Sequence, residues 1–168
     1  MRKLLGEIGR FRKDRSGNVA VIFTLALLPV LSAMGVAVDY SRATQVRSKL
    51  QSAIDAASVG SVARKSPAFL AAGSMTADGP IAVGVTDAKA IFDGNMSGVT
   101  GYTLNSVTPV VTKTGMIITS TVTFSANVPT VFLGVMNKST MTVTGSSTSV
   151  SKMPQYIDFY LLMDNSPS

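Results

Sequence analysis

The stretch from Ser16 to Val38 constrains this chain most: 23 consecutive residues carry no formal charge, bounded by Arg15 and Asp39. Its strongest part, Val19–Val38, reads VAVIFTLALLPVLSAMGVAV. Wound as an α-helix, such a run is about 30 Å long, the thickness of a bilayer's hydrocarbon core. Pro29 would break a soluble helix, but membrane helices accommodate proline with a kink. A core helix of this length ordinarily keeps a polar face, and none is present, so residues 16–38 are predicted to cross a membrane.

The flanks give the span a direction. Arg2, Lys3, Arg10, Arg12, Lys13 and Arg15 precede it, whereas only Arg42, Arg47 and Lys49 follow closely. The positive-inside bias then places the N-terminus in the cytoplasm and the rest of the chain across the membrane. A cleaved signal peptide also begins with a basic region and an apolar stretch. This stretch is longer than an ordinary signal core and no clean A-x-A site follows it, which favours a retained anchor.

Composition narrows the chemistry. The net charge is +6, but +4 of it lies in residues 1–15, leaving the other 153 residues only weakly basic. A nucleic-acid partner is therefore not expected. With no Cys and no His, disulfides, thiolate metal sites, Cys nucleophiles and the commonest general base are all excluded. No glycine-rich phosphate loop or paired carboxylates appear, so neither an enzyme nor a small-molecule substrate is expected.

Beyond the span, Val46, Leu50, Ala53, Ile54 and Ala57 recur at helical spacing as one stripe. Neither Pro nor Gly interrupts Asp39–Val59, so the span is expected to continue as one long helix whose Ala-rich face packs closely. Residues 66–85 mix Pro, Gly and small side chains and read as loop. Thr86-Asp87 is expected to cap a short helix through Phe92, ended by Gly94-Asn95. Asp87 and Asp93 read as solvated helix-end charges rather than a carboxylate pair.

From Tyr102 the pattern changes to period two. Met116, Ile118, Ser120, Val122, Phe124 and Ala126 share one face of a strand, and Tyr102–Thr112 is its partner, with Pro109 marking an edge. Lys113-Thr114-Gly115 fits the hairpin loop between them. Pro129–Met136 reads as a helical turn or two with Pro first, and Met141–Val150 as a further, solvated strand. The fold class is therefore α+β: a transmembrane helix continuing into a long amphipathic helix packed on a small antiparallel sheet. The expected organisation is a basic tail (1–15), a span (16–38), an α+β domain (39–151) and a terminal segment (152–168).

That last segment contains YIDFYLLMDNSPS. An apolar, strand-length run leads into Asp164, Ser166 and Ser168, whose spacing sets three oxygen ligands on one turn, suited to a hard cation such as Mg²⁺. Asp, Asn, Ser and Pro are also ordinary turn formers. Since the chain stops there, no stable metal site or cofactor is expected in it as given.

Taken together, these segments resemble one family. Arg12–Ala63, with its basic tail, Gly17, Val38-Asp39 and the run Leu50-Gln51-Ser52-Ala53-Ile54-Asp55-Ala56-Ala57, resembles the Tad-type anchor of TadG-like proteins of tight-adherence (Flp) pilus assembly. Thr86–Met96 is similar to a short helix common in the periplasmic part of such proteins. Tyr156–Ser168 looks like the first strand and metal-adhesion motif of a von Willebrand factor A domain, which many TadG-like proteins carry. The resemblance implies a non-enzymatic inner-membrane protein that works with pilus or secretion-machinery proteins in the periplasm. It also implies that Asp164, Ser166 and Ser168 hold metal only in a complete A domain, of which this chain would be a truncated product or fragment. Related minor pilins are cut after a Gly and carry Glu at the fifth mature position. Counting from Gly17, that position is Ile22, so an uncut anchor is expected rather than a filament subunit.

Overall fold

In a computed structural model, residues 16–154, Tyr160 and Met163 are described. The first element is a single helix, α1 (Ser16–Ser61), 46 residues long with Pro29 inside it. Its two halves live in different surroundings. From Val19 to Met34 the side chains are exposed, so among the described residues this half is not a core helix and nothing packs over it. The hydroxyls of Thr24 and Ser32 donate back to the carbonyls of Ala20 and Leu28, both at 2.8 Å, so neither hydroxyl of Val19–Val38 is left unpaired to oppose burial in lipid. By length and composition this helix fits a membrane anchor.

Burial begins at Gly35 and then recurs at Asp39, Ala43, Leu50, Ala53, Ile54, Ala57, Ser58 and Ser61. The sequence stripe is thus real, and it extends further than expected in both directions. Against it lie α2 (Pro67–Ser74), α3 (Ala82–Met96) and one face of a four-stranded antiparallel sheet. The strands are β1 (Gly79–Pro80), β2 (Thr103–Thr114), β3 (Ile117–Pro129) and β4 (Thr140–Lys152), in spatial order β1-β2-β3-β4. A further helical turn, α4 (Phe132–Val135), lies between β3 and β4. The α+β architecture expected from the sequence is therefore present.

The sheet follows the period-two pattern. Ile118, Ser120, Val122, Phe124, Ala126 and Val128 of β3 are all buried, Val122 to Val128 in one cluster with residues of α1 and α3 and Ile118 in another with Ala68 and Ala72 of α2. The opposite face carries Thr121 and Thr148, whose hydroxyls meet at 3.0 Å across β3 and β4 in the open. Gly115, at φ +58, takes the first position of the two-residue turn joining Thr114 to Ile117, where a tight hairpin requires the left-handed region. Pro109 pairs with Val122 inside, while β1 pairs only Lys113 and Thr112, so the outer side of Pro109 has no strand to disappoint.

Five local expectations need correction. The hairpin loop is not Lys113-Thr114-Gly115, because Lys113 and Thr114 pair with Ile118 and Ile117 and the turn is Gly115-Met116. Residues 66–85 are not all loop: α2 occupies Pro67–Ser74, with Ser66 as N-cap accepting from Phe69 N at 3.1 Å and Pro67 in the first turn. The Ser66 hydroxyl also donates to Ser61 O at 2.8 Å, joining the end of α1 to the start of α2. Helix α3 begins at Ala82, before Thr86, and runs through Gly94-Asn95 to Met96. Pro129 ends β3 opposite Thr140, and the helical turn starts only at Phe132. Finally, β4 is not wholly solvated, because Ser147 and Ser149 are half-buried against α1.

The contact between α1 and the sheet is partly a serine seam. Ser58 Oγ lies 3.0 Å from Ser147 Oγ and 2.9 Å from Ser149 Oγ, and Ser61 bonds Ser120 at 2.8 Å. Ser58, Ser61 and Ser120 have no solvent exposure. Short hydroxyl side chains let helix and strands approach closely while each satisfies the other. Ser61→Ala leaves Ser120 buried without this partner and is expected to cost about 1–3 kcal/mol. The Ser61→Ala/Ser120→Ala pair should cost less than the two single changes added, in thermal unfolding of the micelle-held chain followed by circular dichroism. Strict additivity would show that the seam does not couple the layers.

Candidate functional site

Where the apolar half of α1 meets the domain, the chain builds its most specific polar arrangement. Asp39 follows directly on the uncharged stretch and is only 2% exposed. A buried carboxylate needs partners, and Asp39 finds three backbone amides on a segment more than ninety residues away. Val131 N donates to Oδ1 at 3.0 Å, and Phe132 N and Leu133 N donate to Oδ2 at 2.9 and 2.8 Å. These are free amides at the first turn of α4, which has no side-chain cap of its own. Asp39 therefore caps α4 from another helix, placing a negative charge where the helix end is positive.

These bonds set the acidity of the group. The amide of Val131 chiefly holds the Asp39 carboxyl below its ordinary value of 3.8, against desolvation that raises it; the amides of Leu133 and Phe132 and the charge of Arg42 add to the lowering.

One turn before Asp39, Gly35 makes the same docking possible sterically. A Cβ there would overlap the ring of Phe132, so only glycine lets α4 lie against α1 at this level. The other end of α4 is closed as well. Asn137 adopts φ +63, its N–H donates to Gly134 O at 3.0 Å, and Lys138 N donates to Leu133 O at 3.0 Å. Thr130 N to Ser139 O, 2.9 Å, ties the base of the connection. Residues 130–139 thus form a braced turn clamped to α1 by Asp39 and Gly35.

Among the described residues there is no cluster of three or more acidic side chains that could hold a metal. A shallow groove lined by Phe69, Met75, Met116 and Met153 contains one cation, Lys113, whose Nζ is committed to Met75 O at 2.6 Å. Asp87 and Asp93 both lie on α3, and burial raises the Tyr102 hydroxyl's pKa, with the charge of Asp93 adding to it. Asp164, Ser166 and Ser168 lie outside the described residues, as does the basic tail.

Sequence reasoning noted Val38-Asp39 only as the end of the apolar run, and missed its role. One signal was available: the Val131–Val135 turn lacks an N-cap side chain at Val131, so its first amides needed an acceptor from elsewhere.

Residues 17–64 match the family model Tad, described as "Putative Flp pilus-assembly TadE/G-like". The match covers the apolar span, Gly35, Asp39 and the buried stripe as far as the end of α1. No curated protein and no solved structure matches the chain.

Proposed function

We propose that this chain is a single-pass inner-membrane protein of the TadG-like kind, with a cytoplasmic N-terminus and a periplasmic α+β domain, serving as a non-enzymatic scaffold in Flp pilus assembly. The observation that carries this reading is the Tad-type similarity of residues 17–64, which falls on a helix exposed in its apolar half and embedded in a folded domain in its other half. The excess of basic residues ahead of the span supports the orientation. A scaffold acts through its surface and its position, and the absence of Cys and His agrees with a role that involves no covalent chemistry.

Alkaline phosphatase and a cytoplasmic reporter fused after Lys152 test the topology: the first should be active and the second silent. Deleting the gene should abolish surface Flp pili in electron micrographs, and complementation should restore them. A soluble cytoplasmic protein, or normal piliation in the deletion strain, would end this reading.

A filament-subunit role remains a different outcome of one measurement, the intact mass of the membrane-extracted protein. Loss of the residues up to Gly17 would favour a pilin, and an uncut Met1 the anchor. In a longer natural form, Asp164, Ser166 and Ser168 would begin an A-domain metal motif. Mg²⁺ titration of this chain should then show no specific heat, in contrast to the longer form.

A further inference from the structure

The braced turn at residues 130–139 presents an apolar surface that no other described residue covers. Val131 is 60% exposed, Phe132 47%, Val135 88% and Met136 67%. Exposed apolar side chains occur elsewhere, but these four lie within six residues on one rigid turn. Their level along α1 is fixed by two contacts. Phe132 packs on Gly35, inside the uncharged stretch, and the amides of α4 bind Asp39, the first charge after it. At 1.5 Å per residue, Gly35 lies about 6 Å on the apolar side of Asp39. A span inserted as far as Val38 therefore carries Phe132 to the depth of the outermost acyl chains.

We infer that residues Val131–Met136 form a second membrane contact, a short monotopic foot that beds into the lipid interface beside the span. The occupant of this surface is lipid rather than a protein partner, because the patch is held at the exit of the apolar stretch, with Phe132 against Gly35 and its amide on Asp39. Lys138, two residues past Met136, supplies a cation for phosphate headgroups as the apolar residues enter the interface. Two contacts at one exit fix the domain's orientation, since a helix alone leaves rotation about its axis free. The proposal rests on the spanning reading of α1, and the test below separates the two.

The chain has no Trp, so a single introduced one reports its surroundings without background from the chain itself, the emission of nanodiscs carrying the unsubstituted chain being subtracted. Three full-length variants are reconstituted one copy per nanodisc, with lipids brominated either near the headgroup or deep in the chains. Val30→Trp lies in the middle of the span, Val135→Trp on the foot and Val150→Trp on β4. Thr140 adjoins the foot and Val150 lies ten residues along the strand, about 30 Å away. The expected result is deep-lipid quenching at position 30, a blue shift with shallow-lipid quenching at 135, and neither at 150. Unshifted, unquenched emission at 135 with normal quenching at 30 would overturn the foot and leave the anchor intact. A blue shift at 135 without bromolipid quenching would mean protein contact and would also overturn it. Loss of quenching at position 30 would overturn the span itself. Because Val135 is almost fully exposed, the substitution disturbs no packing.

Discussion

Replacing Asp39 with alanine is expected to free the 130–139 turn from the long helix while leaving the sheet paired. The amides of Val131, Phe132 and Leu133 lose their acceptor together, and their hydrogen exchange should accelerate by about tenfold or more, with amides of β3 near Val122 unchanged. Asp39→Asn keeps the shape but removes the charge and should fall between wild type and alanine. Acid should reproduce the effect. Because the folded-state carboxyl titrates below 3.8, its contribution is complete above that value and is lost as pH falls through the lowered folded pKa. Protection of these three amides should thus be flat from neutral pH down to about pH 4 and then fall in the wild type. In Asp39→Ala it should have no such step. Equal protection in the two proteins at neutral pH would mean that Asp39 does not cap α4.

The largest loss of global stability is expected at Phe92. Its side chain, 1% exposed, sits in one core cluster with Leu50 and Ile54 of α1 and Val122 and Phe124 of β3. Phe92→Ala removes the body that wedges α3 between helix and sheet, at a cost of about 3–5 kcal/mol. A domain of this size has roughly 5–15 kcal/mol in total, so a substantial unfolded fraction follows on modest heating. Val83→Ala, on the same helix at an exposed site, should change stability by less than about 0.5 kcal/mol. Thermal unfolding in micelles should show loss of strand signal with the span's helical signal retained. A Phe92→Ala chain as stable as the Val83→Ala chain would refute this arrangement of the core.

These two sites differ in how visible they were beforehand. The stripe through Leu50, Ile54 and Ala57 and the alternation through Ile118, Val122 and Phe124 follow from element periodicity, so the helix, the central strand and much of the core were legible. Helix α2 was not, because Gly73 and small residues dilute its pattern, although Ser66-Pro67 did announce its start. The beginning of α3 was hidden for a tertiary reason. Gly84 lowers local helix propensity, yet a Cβ there would lie 2.7 Å from Ala68 Cβ and 2.9 Å from Val111 Cγ1, so the helix accepts glycine to approach its neighbours. The Asp39 clamp joins segments more than ninety residues apart. No local rule pairs a carboxylate with particular backbone amides at that distance, and only the folded connection brings them together.

The absence of any break in α1 between Ser16 and Ser61 has a mechanical consequence. From Gly35 to Ser61 the helix rises about 39 Å, bonded along its length to the domain it carries. On the proposed reading of its apolar half as a span, it would be a lever with the bilayer as fulcrum. A change of 20° in the tilt of the span, an angle within the ordinary range for such helices, would swing the far end of the sheet sideways by about 13 Å. Whatever binds that far end would feel the membrane's state as displacement, and could in turn pull on the span without unfolding anything between.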